Sequence, residues 1–403
     1  MAVSTPSRFP ALGVPFLAEV LTTLVKTKSV NPGTSEKAIA DVIVGWLDRT
    51  SAEVSVVEFA PGRPSVAAVF RGTEPGPTLV LNGHMDTVPI DDELLWTTDP
   101  FGAEVKDGYL YGRGACDMKA GLAVQIGVAH YVDSLPPSQL EGSLVLHFAA
   151  GEERGEPGTL SLIEAGFGGD YGITTEPTEL QVATATRGSA YFRIRINGRS
   201  VHASQPHFGR NPVWSLSSVL NILSAYDEEV KRLEHPLLPG GSCTPTLVHA
   251  GVKENAVPDH CDITLDRRLL PGETAEAIRT ELTTRIAALR KDDPLFDFEI
   301  TTIFEVEPAE VDPGLDFVRN VLQAAAEVTG QPAEVWGAPF SSDVRNLVND
   351  GGMQAVTFGP GDIGECHCPD ERVSLAAVEA AALVIGKVAT ELLAGSPSKR
   401  KEE

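Results

Sequence analysis

The chain has few cysteines, a deficit of basic charge and no long apolar run. Its five cysteines are Cys116, Cys243, Cys261, Cys366 and Cys368, scattered over 403 residues. An odd, dispersed set reads as reduced thiols and excludes a disulfide framework. Lysine and arginine number 32 against 56 acidic residues, a formal net charge of −24. That balance excludes the basic surface needed for non-specific binding to nucleic acid or to an anionic membrane, so neither partner is expected. No stretch approaches the roughly 18 to 20 apolar residues that span a bilayer. The opening MAVSTPSRFPALGVPFLAEV lacks a basic region, an apolar block and a small-residue cleavage site. The expectation is therefore a cytoplasmic protein. There is no repeat at solenoid periods.

What is present is ordinary for a soluble protein: 42% hydrophobic and 22% charged residues, in a length that suggests two domains. Helical patterns over residues 16–26 and 36–49 are followed by apolar strand patterns over 54–59, 66–71 and 78–81. A helix over 119–134 and a strand over 144–148 continue the alternation. Short apolar strands alternating with helices predict an α/β domain whose sheet is covered on both faces. Near Arg187 the character changes. Tyr191, Arg193 and Arg195 alternate with Phe192, Ile194 and Ile196, a half-exposed strand with a hairpin signal at Asn197-Gly198. Counting that strand, and allowing for its hairpin, a βαββαβ order follows, with helices over 212–233 and 274–289 and strands near 246–252, 261–265 and 296–304. After Pro308 the α/β pattern returns, with helices over 315–328, 343–349 and 375–393 and a strand over 354–358. The predicted domains are 1–186 and 306–403, forming one α/β body, and 187–305, an α+β insertion.

The α/β portion places His84 and Asp86, Asp117, Glu152 and Glu153, Glu176 and His367 just after apolar strands or turns. Ligands in open α/β sheets collect outside the carboxyl ends of strands. Each residue has a bland alternative. His84 could be a hydrogen-bonded core histidine, Asp117 a helix N-cap, and Glu152-Glu153 a pair of solvated loop residues. Asp86, two residues after His84, is what fixes the tautomer of a metal-bound imidazole. On extended backbone, Glu152 and Glu153 would point opposite ways. Jointly, the bland readings would need coincidences at five strand ends. Cys366-His367-Cys368 lacks the second cysteine pair of a zinc ribbon.

The motifs GHMDTVP, YGRGACDMKAG, AAGEERG and TEPT, with the late FGPG, His367 and Asp370-Glu371, stand in one order along the chain. From residue 29 to 371 the sequence resembles the metallopeptidase and deacylase family. That family includes acetylornithine deacetylase, succinyl-diaminopimelate desuccinylase, aminoacylase and glutamate carboxypeptidase. The resemblance implies a zinc-peptidase-like α/β catalytic domain with a mixed, mostly parallel sheet, and an inserted ferredoxin-like α+β lid that also mediates dimerisation. It implies two Zn²⁺, replaceable by Co²⁺ or Mn²⁺, bridged by Asp117. His84 and Glu176 would complete one site, and Glu153 and His367 the other. Asp86 would orient His84, Glu152 would be the general base acting on a metal-bridging water, and the Asp117-Met118 peptide would be cis. Cys116, Cys366 and Cys368 would be packing residues, although relatives often carry alanine at position 366.

Within the insertion, the resemblance implies that His202, in GRSVHASQP, supports the tetrahedral oxyanion. Asn255 and Arg268 would hold the carboxylate of the substrate. Their plain alternatives are surface residues. SSDVRNL supplies Asp343 and Arg345, similar to the D-x-R element of the acetylornithine and desuccinylase branch. His207, His235, His249 and His260 read as structural. The implied activity is hydrolysis of a small N-acyl amino acid; the alternative is a dipeptidase or carboxypeptidase using the same dinuclear site. The bulky WGAPFSS loop favours an apolar group nearby. A catalytically silent binding protein would lack a ligand or the base, and none is missing.

Overall fold

The computed structural model of the chain describes residues 9–136 and 139–393, so the first eight residues of the stretch read for a signal lie outside it. It divides into two compact units. The first comprises the residues up to Thr184, Glu310–Trp336 and those from Ser342 onward; the second comprises Ala185–Ala309 and Gly337–Ser341.

The first unit is built on a mixed sheet. In spatial order its strands are Glu53–Ala60, Arg63–Arg71, Glu141–Ala149, Glu74–His84, Tyr171–Thr174 and Gln354–Thr357, with Val182–Thr186 beyond. The central pairings, from Glu141–Ala149 through Gln354–Thr357, are parallel, and those toward both flanks are antiparallel. Continuous burial from Pro64 to Phe70 matches a strand with no water-facing side. Helices Val14–Lys26, Lys37–Leu47, Ala120–Asp133, Asp316–Thr329 and Leu375–Leu393 flank the sheet and share its core. The helix Ala120–Asp133 is buried from Ala120 through Ala129, as expected for a helix apolar all round. Each fully buried leucine or isoleucine of this core contributes about 1.5–3 kcal/mol by leaving water. At Gly121 an added Cβ would stand 2.1 Å from the Thr175 carbonyl oxygen. The helix can approach the strand end only without a side chain there.

The strand predicted over 78–81 runs from Glu74 to His84, so His84 is its final residue. The helix predicted over 343–349 is instead a wide helical turn, Asn346–Asp350. Sequence reading missed the helix Gly158–Glu164 and the small sheet of Glu104–Lys106, Tyr109–Tyr111 and Arg372–Ser374. These elements are too short to show a period.

The second unit carries an antiparallel sheet in the order Ser242–Ala250, His260–Leu269, Gly188–Asn197, Asp297–Val306. Helices Val213–Val230 and Ala275–Ala287 complete a split βαβ arrangement. Phe192, Ile194 and Ile196 enter its core, as their alternation requires. The Thr274 hydroxyl caps the second helix, accepting from Ala277 N at 3.2 Å. The hairpin expected at Asn197-Gly198 does not form. Gly198 N donates to Asp259 O at 2.7 Å, Arg199 pairs with Arg210, and the chain leaves the sheet as a loop. Among the described residues no helix is long and apolar enough to cross a membrane.

Candidate metal centre

Parallel register gathers the site. His84 is paired with Ala149, and Asn82 with Thr174, so three adjacent strands end on one edge of the sheet. His84 closes the middle strand, Glu152 and Glu153 come after the strand Glu141–Ala149, and Glu176 comes after Tyr171–Thr174. The neighbouring strand Gln354–Thr357 leads into the loop carrying His367. This is the carboxyl edge where α/β sheets bind their ligands.

Asp117 stands at the centre. One of its oxygens lies 3.2 Å from His84 Nε2 and the other 3.1 Å from His367 Nε2. Glu176 Oε1 is 3.6 Å from His84 Nε2, and Glu153 Oε1 is 3.4 Å from His367 Nε2. Glu152 Oε2 lies 3.9 Å from His84 Nε2. His84, Asp117 and Glu153 offer donor atoms all within 4.8 Å of one another. Asp117 does not cap the following helix. It lies in a non-helical turn (φ −115°, ψ 99°), and the Asp117-Met118 peptide is cis.

Buried carboxylates outnumber imidazoles here, and burial and mutual repulsion raise the proton affinity of Glu152, Glu153 and Glu176. Burial pushes Glu152 and Glu176 well above the usual carboxylate range; Asp343 and Glu153 push Glu152 further, while His84 and Arg345 oppose. Asp117 is held below its ordinary value despite burial, because both histidines hydrogen-bond to it. The same contacts raise His367 to about 11. His84 is raised although burial opposes it, by Glu176, Asp117 and Asp86. Such a nest of desolvated anions calls for cations. Donors bound to one tetrahedral ion at about 2.0–2.1 Å stand about 3.3–3.4 Å apart. The four His–carboxylate distances around Asp117 bracket that value, so this donor set fits two ions sharing one carboxylate.

The surrounding contacts explain the geometry. The Asp86 carboxylate is 3.5 Å from His84 Nδ1, while its backbone oxygen is nearer, at 2.9 Å. The carboxylate is occupied elsewhere. Oδ1 accepts from Gly151 N at 3.1 Å and Glu152 N at 3.2 Å; Oδ2 accepts from Asn31 Nδ2 at 2.9 Å and Glu153 N at 3.3 Å. Glu152 and Glu153 therefore sit in a short helical turn capped by Asp86, not on the extended backbone expected. Their side chains still diverge, Glu152 toward His84 and Glu153 toward His367.

Glu371, which the sequence reading left without a role, is fully buried. It accepts from Cys116 N at 2.9 Å, Asp117 N at 3.1 Å and Arg113 Nη1 at 2.6 Å, gripping the backbone of the central aspartate. Its neighbour Asp370 binds Thr97 and Thr98 through both backbone N–H and hydroxyl groups, pinning the loop of His367. A contact across more than 250 residues leaves no local signal; the adjacency of Asp370-Glu371 to His367 was the available hint. Asp343 is buried, accepts the Thr159 hydroxyl at 2.6 Å and lies 3.4 Å from Arg345. Cys116 is buried, and its sulfur is 3.5 Å from that of Cys366; both are free thiols, as is Cys368.

His202, Asn255 and Arg268 belong to the second unit. His202 is exposed, its Nδ1 2.7 Å from Ser204 Oγ, and its loop pairs with that of Asn255 through Ala203 N to Asn255 O at 2.9 Å. Arg268, on the strand His260–Leu269, pairs with Asp266 at 2.9 Å.

Comparison with known proteins gives this edge a lineage. The family described as peptidase family M20/M25/M40 matches residues 80–391. An N-formyl-4-amino-5-aminomethyl-2-methylpyrimidine deformylase of Bacillus subtilis is 25% identical over 370 residues, covering 85% of this chain and 86% of that protein. A [LysW]-lysine/[LysW]-ornithine hydrolase of Pyrobaculum aerophilum, so named provisionally, is 30% identical over 374 residues, 92% of this chain and 96% of its own. An acetylornithine deacetylase of Myxococcus xanthus is 29% identical over 318 residues, 77% and 79% of the two chains. Among solved structures, the YXEP protein of Bacillus subtilis, described as a dinuclear metal-binding peptidase of family M20, shares the fold. Its TM-score is 0.72 at 19% identity, over 94% of this chain and 98% of that one. With the family's match running from the strand that carries His84 to the last helix, the chain belongs to peptidase family M20/M25/M40, a family of hydrolases.

Proposed function

We propose that this chain hydrolyses the amide bond of a small N-acyl amino acid, using two Zn²⁺ ions per subunit. The observation that carries the reading is Asp117, whose two oxygens serve two different imidazoles at 3.2 and 3.1 Å. His84 and Glu176 would hold one ion with Asp117, and His367 and Glu153 the other. The imidazole and carboxylate donors also accept Co²⁺ or Mn²⁺. When bound, the ions supply Lewis-acid polarisation of the amide carbonyl and acidify a water. Glu152 would accept a proton from the attacking water and pass it to the leaving nitrogen. Its carboxylate, 3.9 Å from His84 Nε2, is placed beside the donor set without being needed as a ligand. Asp86 fixes the turn that aims Glu152. His202 steadies the oxyanion, and Asn255 and Arg268 bind the carboxylate of the substrate.

Two of the relatives are named as a deacetylase and a deformylase, which supports removal of an acyl group. The reading extends to a cytoplasmic homodimer formed through the inserted unit. Its outer strand Ser242–Ala250 is exposed from Thr244 onward, an edge that pairing would cover.

The test is amine release from a panel of N-acyl amino acids and dipeptides, using zinc-loaded and chelator-stripped protein in parallel. The expected result is zinc-dependent turnover with an N-acyl amino acid preferred. Preference for dipeptides would move the assignment to the peptidase alternative. Turnover that survives complete metal removal would overturn the mechanism.

A further inference from the structure

The turn bearing Glu152 and Glu153 is held at both ends. Asp86 gathers its first N–H groups. Its far end closes at Glu156, whose N donates to Gly151 O at 2.9 Å. Glu156 Oε2 lies 2.5 Å from Arg63 Nη2 and 3.4 Å from Asn31 Nδ2, the same amide that binds Asp86. Arg63 in turn gives Nε and Nη2 to the two oxygens of Glu36 at 2.7 and 2.6 Å. Glu36 is fully buried at the start of helix Lys37–Leu47, and Arg63 opens the strand Arg63–Arg71. A bidentate carboxylate fixes the plane of a guanidinium, which lysine cannot reproduce.

Packing points the same way. Gly151 has φ +86°, and a Cβ there would stand 2.6 Å from Glu156 Oε2 and 3.2 Å from Arg63 Nη2. The guanidinium and the Glu156 carboxylate thus press on the residue that begins the turn. Two carboxylates lean on one cation, so its loss would leave Glu36 buried without a counter-charge and the Glu156 side chain held only by the Asn31 amide at 3.4 Å.

We propose that Arg63 is a positioning residue for the reaction. Oriented by Glu36, it fixes Glu156 and the Gly151–Glu156 loop, so that Glu152 stays directed at His84 and Glu153 at His367. The proposal rests on the roles given to Glu152 and Glu153 above.

The test compares Arg63→Met, Arg63→Lys and the double variant Arg63→Met with Glu36→Gln, which removes both charges of the pair. Arg71→Met, on the same strand and exposed, is the control. Measured for each are kcat and KM on the best substrate, thermal unfolding, and amide hydrogen exchange at Glu152, Glu153 and Glu156. The double variant should stay folded and lose kcat by about 10- to 100-fold, with KM changed less than about threefold. Loop amides should exchange faster, and Arg63→Lys should recover part of kcat. Unchanged exchange in the loop overturns the anchoring, whatever Glu152→Ala does. Faster exchange with kcat intact per folded molecule overturns the positioning role. A failure of the Glu152 assignment would appear separately, as unchanged turnover in Glu152→Ala itself.

Discussion

In the first unit His84 and Asp117 are nearly sealed from solvent, and both oxygens of Asp86 are occupied by N–H donors. In the second, His202 is exposed and Arg268 is paired with an aspartate two residues away on its own strand. In the first arrangement parallel strands bring most donors to one edge and buried contacts hold His84 and Asp117, while His367 stands half exposed on its loop. The second holds its candidates by local, partly solvated contacts, His202 to Ser204 and Arg268 to Asp266, which contribute little to the fold. The carboxylates proposed to hold the ions are built in at the sheet edge, whereas the residues proposed to read a substrate stand on a loop and a strand of the second unit.

The largest effect should come from breaking the first arrangement. Glu152→Ala should lower kcat by about 10²–10⁴-fold, the range for losing a positioned acid–base group, while zinc content stays unchanged. Steady-state kinetics beside metal analysis of the same sample checks this; an unchanged kcat removes Glu152 from the base role. The second unit should answer more softly. Arg268→Ala should raise KM by about tenfold with kcat nearly constant, and His202→Ala should do the reverse, lowering kcat more than it raises KM. Arg268→Ala should change stability by less than about 1 kcal/mol, because its pairing with Asp266 is partly solvated. Thermal unfolding and substrate titration separate these effects. An effect of His202→Ala confined to KM would refute its oxyanion role.

The same contrast governs what could be read in advance. His84, Glu152, Glu153 and Glu176 stand just past apolar runs, where the edge of an α/β sheet gathers residues, whereas Asp117 and His367 follow glycine-rich loops and are singled out chiefly by the family resemblance. The alternation of Phe192, Ile194 and Ile196 likewise revealed the half-exposed strand of the insertion. The turn holding Glu152 was misread as extended, since three residues carry no period and its cap, Asp86, is more than sixty residues away. Asn197-Gly198 looked like a hairpin, but Gly198 N is taken by Asp259, a partner that only the tertiary fold supplies. The anchoring roles of Glu371, seen in sequence only as a motif residue, and of Arg63 escaped the sequence for the same reason. Their partners lie on other elements, and nothing local distinguishes a buried anchoring charge from a solvated one.

The most direct test of the proposed sharing of Asp117 by two ions is calorimetric titration of Zn²⁺ into metal-stripped protein at several pH values and in buffers of different ionisation enthalpy. Without metal, Asp117 and Glu153 raise His367 to about 11, and the carboxylates around His84 favour a proton on that ring against its burial. Zinc must displace these ring protons. The account predicts two ions per chain, protons released on binding, and an apparent affinity that rises with pH by about tenfold per unit for each proton displaced. One ion per chain, or binding without proton release, would contradict it.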